Sequence, residues 1–447
     1  MLTMRRKLGY GIGDLGISLA YFTVGFFFLF YLTDLVGLPP ALAGLAFFIG
    51  RLWDSVNDPM IGVWNDRSRS RLGRKRSFLL LGALPFAVTY ALLWLIPLGA
   101  SQEVKFLWAA LSMLLYTTVY SLITVPYMAL VPVMTKDYDE RTQITGIRAI
   151  LSTLGSILGG GVSLLVSSFA SKLVGLQVMA GTFGLLAGGS ILIAAQSVKG
   201  LEKPEEAPQN QPRYSLRDYG KLLREPNVFI LMLFKFLGAV ATGALTASLP
   251  YFARHILGSE RVSTIGLAIY VLVSALCIPI WNRLSRRLDK RRLLLGGAIA
   301  ATLFLLVIGQ VSQVVYFYVG CGFLGAAMAS YLLIPYSLVP DLVEYYEHKT
   351  GERHESVFFG LWITVHQFGI STAGLLLGVF LQIFGYDGTL ETQNPAALSA
   401  VRMAFGVLPG FMLVIATLVL QRYTITRQVF QTIKAELSSR AAPSQAD

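Results

Sequence analysis

The sequence predicts an all-α membrane protein with twelve transmembrane helices in two pseudo-symmetric six-helix bundles. Three observations support this prediction: long apolar blocks, basic residues concentrated in alternate loops, and an internal repeat. Of the 447 residues, 54% are hydrophobic and only 14% are charged. Because soluble domains usually carry about 25% charged residues, this composition is typical of a chain embedded in a lipid bilayer.

The apolar residues form twelve blocks, each long enough to cross a bilayer. A helix rises about 1.5 Å per residue and the hydrocarbon core is about 30 Å thick, so roughly 20 apolar residues suffice. The blocks are too long for spanning strands and lack their alternating pattern, which favours helices over a barrel. The predicted spans cover residues 10–36, 41–63, 77–99, 106–132, 144–168, 176–197, 227–255, 263–282, 293–312, 315–340, 355–385 and 400–421.

The net charge of +12 follows the predicted topology. A basic chain is also typical of a nucleic-acid-binding protein, but here the charge lies in alternate loops and forms no soluble patch. Cytoplasmic loops of membrane proteins carry this excess of lysine and arginine. We therefore expect a multi-pass protein of the plasma or inner membrane, with both termini cytoplasmic and no nucleic-acid partner. The basic groups lie within residues 5–7, 67–76, 199–224, 283–292 and 422–440.

A polar, proline-containing linker divides the chain into two halves of six predicted spans. Residues 1–197 are predicted to form the N-terminal bundle and residues 227–425 the C-terminal bundle. The linker covers residues 198–226, and residues 426–447 form a cytoplasmic tail.

The two halves also repeat each other in sequence. Residues 64–67 (WNDR) follow the second span as residues 281–283 (WNR) follow the eighth, and residues 126–127 (PY) match residues 335–336 near the ends of the fourth and tenth spans. Duplicated six-span halves are typical of secondary transporters, which hold their solute near the bilayer midplane between the halves.

Glycines in the fifth and eleventh spans are predicted to lie at helix contacts. Small residues at four-residue spacing let helix backbones approach closely. The glycines concerned are Gly155, Gly159, Gly160, Gly161, Gly374 and Gly378.

Three charged residues share one face of the second span. Arg51, Asp54 and Asp58 are spaced i, i+3 and i+7, and Asn57 lies next to that face. Two carboxylates four residues apart repel each other in a low dielectric unless a cation or a proton neutralises one of them. Hard cations prefer oxygen ligands, so the pair is a candidate coupling site. The alternative is an internal Arg–Asp pair that only holds helices together.

Other ionisable residues fall within predicted spans, where charge is costly and usually functional. Asp14 shares a face of the first span with Ser18, and either lines a cavity or pairs with a basic residue. Arg148 is either a juxtamembrane charge that sets topology or a cavity charge paired with an acid.

The remaining polar candidates have a more structural interpretation. In the eleventh span, His366 and Gln367 are candidates for a cavity, although a lone histidine there is more often a hydrogen-bonded packing residue. Asp34 lies at the end of the first span, where we expect it to be solvated.

Several segments resemble the glycoside–pentoside–hexuronide:cation symporters of the major facilitator superfamily. The most specific is residues 51–59 (RLWDSVNDP), supported by residues 7–13, 31–34 and 341–345 in the same order along nearly the whole chain. The resemblance implies the major facilitator fold and secondary active symport of a small organic solute, expected to be a sugar or glycoside. Coupling to Na⁺ or H⁺ by alternating access is implied as well.

The resemblance also implies roles for individual residues. Asp54 and Asp58 match the two cation-binding carboxylates of the family, Ser121 matches a hydroxyl that assists them, and Asn57 lies beside them. Tyr120 and Arg148 match substrate-binding residues. We expect one central cavity lined by Asp14, Ser18, Tyr120, Thr124, Arg148, His366 and Gln367.

The sugar-binding pattern of the family is less complete here. Galactoside-binding members have acids at the positions of Ser18 and Thr124, a tryptophan at Met128 and a lysine at Gln367. The same superfamily includes sodium-coupled lysophospholipid carriers, which need a more apolar path. Such a carrier is therefore the alternative, and a non-transporting receptor or regulator is a remote one.

Residues that resemble gating positions lie at cytoplasmic span ends. Asp66 and Arg67 are predicted to latch the cytoplasmic side, with Asp341 and Arg353 in the second half. In the alternative interpretation the arginines only set topology.

No enzyme chemistry is expected, because the sequence has no nucleotide-binding loop, no Cys/His metal spacing and no Ser-His-Asp arrangement. We expect no cofactor other than the transported cation, and a protein that functions as a monomer in the lipid bilayer.

Overall fold

The computed structural model describes residues 2–68, 70–135, 137–202, 220–351, 355–426, 428–433 and 436, apart from the side chains of Asp66, Tyr138, Glu355 and Ser356. Helices dominate these ranges, and no strand occurs within them. The long helices are α1 (Met4–Leu35), α2 (Pro40–Arg67), α3 (Arg76–Leu92), α4 (Gln102–Met128), α5 (Tyr138–Gly160), α6 (Lys172–Ser197), α7 (Pro226–His255), α8 (Arg261–Arg287), α9 (Lys290–Ile308), α10 (Val314–Thr350), α11 (Glu355–Ile383) and α12 (Pro395–Leu420).

These helices confirm the predicted all-α membrane class. Among the described residues, ten helices are long and apolar enough to cross a bilayer. The shorter α3 is apolar as well, and α2 is long but carries Arg51, Asp54 and Asp58. Only helices and closed barrels can span a bilayer, because every backbone polar group must be paired within the protein.

Several helix ends differ from the predicted span ends, and two of the differences have a clear cause. Helix α3 ends at Leu92, whereas the sequence predicted a span to residue 99, because Pro97 and Gly99 interrupt helical geometry before the apolar block ends. Helix α10 runs through Pro340 to Thr350, where Gly351 ends it with a φ of +76°. Asp341 therefore lies on a helix and not in the loop that the sequence predicted after residue 340.

The described chain divides into two compact units, which are not the two sequence halves. Unit 1 comprises Met1–Gln211, Thr246–Ala268 and Gly374–Ala404. Unit 2 comprises Pro212–Leu245, Ile269–Ala373 and Phe405–Asp447. Helices α1 to α6 thus belong to unit 1, together with the end of α7, the start of α8, the end of α11 and the start of α12.

Within unit 1, α1 packs against α5 and α6, α2 packs against α4, and α3 packs against α4 and α6. A Cβ atom at Gly155 or Gly159 would overlap the backbone of α1, and one at Gly374 or Gly378 would overlap α2. The prediction that these four glycines lie at close helix contacts is confirmed.

Within unit 2, α9 packs against α10 and α12. Asn227, at the start of α7, accepts hydrogen bonds through Oδ1 from the backbone N–H and the hydroxyl of Thr424, at 3.0 and 3.1 Å. This contact ties the first turn of α7 to the segment after α12.

Candidate functional site

The charged face of α2 is buried against α4. Arg51 and Asp54 are each 1% exposed, and the Ser121 hydroxyl on α4 donates a hydrogen bond to Asp54 Oδ1 at 3.0 Å. The spacing of the charges along α2 follows from helical periodicity, but the position of Ser121 depends on how α2 and α4 pack. The structure therefore brings together two of the residues that the family resemblance grouped.

Arg51 lies against aromatic rings. Its guanidinium is 4.3 Å from the ring centre of Tyr21 and 5.4 Å from that of Phe47. Nε and Nη2 of Arg51 have no hydrogen-bond partner among the described residues. Arg51 attracts Asp54 electrostatically, so it partly neutralises that acid. Whether this attraction serves only to hold helices together, as in the alternative interpretation of the sequence, stays a prediction.

Asp58 differs from Asp54 in its surroundings. Asp58 interacts with the Ser121 hydroxyl, and its charge repels that of Asp54. Its Oδ1 atom is buried and accepts no hydrogen bond from any described residue. Leaving a buried carboxylate oxygen without a partner costs about 1–3 kcal/mol, or more when the group is charged, unless a ligand occupies the position.

Further polar atoms lie on the same turn of α2. Within the described chain, the buried Ser55 hydroxyl has no hydrogen-bond partner, and Pro59 lacks the N–H group that would bond the Ser55 carbonyl. Asn57 is 4% exposed, and its amide nitrogen is likewise without a described partner. Oxygen ligands of this kind suit a small hard cation.

The donor set contains only two acids. No group of three or more His, Cys, Asp or Glu residues that could hold a metal ion occurs within the described ranges. Two carboxylates with neutral oxygens supply hard ligands of the kind that a small cation or a proton takes.

A second ionic cluster joins α1, α4 and α5. Arg148 donates to Asp14 through Nε at 2.6 Å and through Nη2 at 3.3 Å, and the Tyr127 hydroxyl donates to Asp14 Oδ2 at 2.7 Å. Asp14 is 6% exposed. Of the alternatives left open by the sequence, the structure shows Asp14 and Arg148 paired with each other.

The other predicted substrate residues of unit 1 lie on the same helices. The hydroxyl groups of Ser18 and Ser152 are 2.7 Å apart, which joins α1 to α5. The ring centre of Tyr120 lies 5.7 Å from that of Tyr21. Thr124 donates to the carbonyl of Tyr120 within α4 at 3.0 Å. Each of these side chains is half-buried.

His366 and Gln367 belong to unit 2, on α11, and both are half-buried. The expectation that they share one cavity with the residues of unit 1 stays a prediction. Trp362, one helical turn before His366, is 1% exposed, and its indole N–H has no hydrogen-bond partner among the described residues.

A buried lysine that the sequence analysis overlooked lies in unit 2. Lys235, in the first half of α7, is 3% exposed. Its Nζ lies 4.9 Å from the ring centre of Tyr331, 5.3 Å from that of Tyr336 and 4.7 Å from that of Trp362. The sequence could have identified Lys235 as a candidate, because it is an ionisable residue inside a predicted span.

The aromatic contacts only partly stabilise this lysine. Removing an ammonium group from water costs several kcal/mol even after the protein relaxes. A cation–π contact contributes from about 0.5 to 2 kcal/mol, and the rings carry no net negative charge. An anion close to Lys235 would offset the rest of this cost for the charged form.

The expectation that Asp34 is solvated is wrong. Its side chain is fully buried, 2.8 Å from Arg254 Nη1, and it accepts hydrogen bonds from the hydroxyl groups of Tyr386 and Thr33. His255 Nε2 is 3.6 Å away. All five residues belong to unit 1. A span end can be buried when loops and neighbouring helix ends fold over it, which local sequence does not reveal.

The candidate gating residues are described only in part. Asp341 Oδ2 is 2.6 Å from Lys290 Nζ, which joins α10 to the start of α9, and Arg67 is exposed. The side chain of Asp66 and the whole of Arg353 lie outside the described part of the chain.

Among the described residues, ten helices long enough to span a bilayer, with ion pairs buried between some of them, are features of a multi-pass membrane protein. The chain belongs to the family described as "MFS/sugar transport protein", which it matches over residues 9–427. The class predicted from residues 51–59 is thereby confirmed, and the fold and family are those of transporters.

Comparison with known proteins supports the same class. The chain is 29% identical to the uncharacterized symporter YnaJ of Bacillus subtilis (strain 168), over 98% of this chain and 96% of that one. It is 25% identical to the putative glycoside/cation symporter YagG of Escherichia coli (strain K12), over 100% and 97% of the two chains. It is 24% identical to the sodium-dependent lysophosphatidylcholine symporter 1 of Gallus gallus, over 96% and 88%.

A solved structure shares the fold. A bacterial homolog of the human lysosomal transporter Spinster, in an inward-facing and occupied conformation, superposes with a TM-score of 0.69 and 15% sequence identity. The match covers 99% of this chain and 98% of that one.

Proposed function

We propose that this chain is a secondary active transporter that couples the movement of a small organic solute to a cation gradient. The observation that carries the proposal is the buried Asp58 carboxylate oxygen without a described hydrogen-bond partner, beside a second buried acid, Asp54, that accepts from Ser121. The symporter names of the relatives support the same function.

The acid pair explains how a cation and a solute can be coupled. With both carboxylates charged, mutual repulsion raises the free energy of the empty site, and a bound Na⁺ or H⁺ lowers it. Asp54 is already partly neutralised by Arg51, so Asp58 is the group that most needs a cation. If the bound cation favours the solute-binding state, the solute must favour cation binding by the same factor.

The substrate side of the site is proposed to include Ser18, Tyr120 and Thr124. Asp14 and Arg148 hold each other in a bidentate pair, so they are proposed to shape the cavity and to present the remaining hydrogen-bonding capacity of Arg148 to the solute. A sugar or glycoside is the first candidate, as the name of YagG suggests.

A carrier of lysophospholipids is the second candidate. The family's sugar-binding acids are replaced here by Ser18 and Thr124, which makes the path less acidic. The avian sodium-dependent lysophosphatidylcholine symporter aligns over nearly the whole chain. Both candidates use the same coupling site, so they differ only in the solute.

The proposal also covers the location, the oligomeric state and the partners of the protein. We propose a plasma or inner membrane location with both termini cytoplasmic, a functional monomer, and no partner beyond the solute, the coupling cation and the lipid. No catalysis is part of this function.

Solute counterflow in proteoliposomes tests the proposal. Proteoliposomes that contain the purified protein are loaded with one solute at a time from a panel of sugars, glycosides and lysophospholipids. Exchange is measured with and without Na⁺ and at two pH values. At least one solute is expected to exchange, and its uptake against a gradient should require Na⁺ or a proton gradient. Failure of the whole panel to exchange, or accumulation that needs no cation, would sink the proposal.

A further inference from the structure

The strongest feature outside the coupling site is the aromatic box around Lys235 in unit 2. Three rings from α10 and α11 surround its ammonium group at 4.7 to 5.3 Å from their centres. The Tyr331 hydroxyl donates to the backbone carbonyl of Lys235 at 3.1 Å, which fixes α7 against α10 at this position. The box is therefore held by backbone as well as side-chain contacts.

We propose that Lys235, Tyr331, Tyr336 and Trp362 form a recognition site for the anionic group of the transported solute. The proposal rests on the transport function proposed above and adds a substrate class to it: an organic monoanion bearing a carboxylate or a phosphate.

The polar atoms of the box are mostly donors. Lys235 forms no ion pair with an acid in the described chain, and the buried indole N–H of Trp362 has no described acceptor. An anionic oxygen beside Lys235 would accept a charge-assisted hydrogen bond from the ammonium, and a second acceptor on the same ligand could take the indole N–H of Trp362. A ligand without an acceptor group would leave both donors unpaired.

The rings restrict the rest of the ligand. Tyr331 and Trp362 are buried, whereas Tyr336 is 50% exposed, so the box meets the surface of unit 2 at the Tyr336 ring. An incoming ligand would pass this ring, whose face suits the apolar side of a sugar ring or an acyl chain. The Tyr336 and Trp362 rings are in contact edge to face, with centres 5.6 Å apart.

The test measures anion preference in the full-length protein in lipid nanodiscs. Each pair of probes differs at the anionic group. Methyl glucuronide carries a carboxylate where methyl glucoside has a hydroxymethyl group, and lysophosphatidylglycerol carries a phosphoglycerol headgroup that a monoacylglycerol with the same acyl chain lacks. Wild-type protein should bind the anionic member of at least one pair about tenfold or more tightly, as expected for a hydrogen-bonded charge. Preference in the first pair identifies a sugar acid, and preference in the second identifies a lipid headgroup.

Three variants complete the experiment. Lys235→Met should abolish the preference, Lys235→Arg should keep most of it, and Lys105→Met should leave it unchanged, because Lys105 donates to the Val36 carbonyl in unit 1. Equal affinity for charged and neutral probes in wild type, or a preference that survives Lys235→Met, would overturn the inference. Cation-dependent counterflow of a neutral sugar would in that case leave the transport function standing.

Thermal stability separates recognition from a purely structural role. An unpaired buried ammonium destabilises the empty protein, so Lys235→Met should melt at the same temperature as wild type or higher. If Lys235 only held helices together, the variant would melt at a lower temperature and the anionic probes would not stabilise the wild type. That pair of results would also overturn the inference.

Discussion

Asp34 at the end of α1 accepts a hydrogen bond from Arg254 at the end of α7, at 2.8 Å, although 220 residues separate them. The same carboxylate accepts from Tyr386, in the loop between α11 and α12. Thr33 and Tyr251 add a hydroxyl contact of 2.8 Å beside it. Residues from both sequence halves therefore meet in one buried polar cluster of unit 1.

This cluster predicts a large effect of Asp34→Asn on stability. The change leaves Arg254 with only the longer 3.8 Å contact to Glu260, and breaking a buried ion pair costs up to about 3 to 5 kcal/mol, less where one partner is partly exposed. We expect a lower melting temperature in fluorescence-detected thermal melts. Glu391→Gln is the matched control, because Glu391 is an exposed acid in the same loop as Tyr386. Adding Arg254→Gln to Asp34→Asn should recover part of the loss, and a melting temperature unchanged by Asp34→Asn would contradict the burial of this pair.

The Asp14–Arg148 pair allows a test that separates stability from solute binding. Asp14→Asn should lower stability and transport, because Arg148 and Tyr127 lose their shared acceptor. The exchanged pair Asp14→Arg with Arg148→Asp should recover stability. If Arg148 contacts the solute, transport should stay impaired in the exchanged variant, measured as counterflow. Full recovery of counterflow would show that the pair is only structural.

Substitutions in the acid pair of α2 are expected to affect cation-driven accumulation and solute exchange differently. Asp58→Asn should abolish cation-driven accumulation while solute exchange stays measurable, since exchange requires binding but no net coupling. Asp54→Asn should behave in the same way if the two acids bind the cation jointly. Accumulation that persists in both variants would make the pair structural, with Asp14 the next candidate for the coupling acid.

Ser121→Ala should raise the Na⁺ concentration needed for half-maximal uptake by about tenfold, if Na⁺ is the coupling ion, because the hydroxyl orients Asp54. Ser112→Ala is the matched control, since Ser112 lies on the same helix and its hydroxyl bonds only within α4. An equal effect of both substitutions would argue against a specific role for Ser121.

Cytoplasmic gating can be tested at the Lys290–Asp341 pair. Lys290 is 32% exposed, so the 2.6 Å contact should contribute less than about 1 kcal/mol to stability. If it latches a cavity, Asp341→Asn should nevertheless change the maleimide labelling rate of a cysteine introduced at a cavity position such as Ser18. Asp66→Asn should shift accessibility toward the inward-open state. Unchanged labelling in both variants would mean that the basic loops only set topology.

Membrane topology follows from the basic loops. Single cysteines at positions 71, 210 and 288 should resist an impermeant thiol reagent in whole cells and react after permeabilisation. The native Cys277 and Cys321 lie within α8 and α10, and their replacement by serine supplies the background. Labelling of any of the three positions from outside would reverse the orientation.

The helices were predictable because a bilayer imposes a simple local rule. Every spanning segment must be apolar over a fixed length and must satisfy its own backbone hydrogen bonds. The ends were less predictable, since apolarity marks the hydrocarbon core and not the helix. Helix α10 continues ten residues past residue 340 into polar surroundings, and α3 stops before its apolar block does.

The candidate sites, too, were predictable only where a local rule determines the position of their residues. Helical periodicity is local, so the spacing of Arg51, Asp54 and Asp58 already places them on one face of a helix. The hydrogen bond of Ser121 to Asp54, the pairing of Arg148 with Asp14, the burial of Asp34 and the three rings around Lys235 come from tertiary packing. These contacts join helices far apart in sequence, and their geometry depends on close packing at glycine positions such as Gly155 and Gly159, which no single segment specifies.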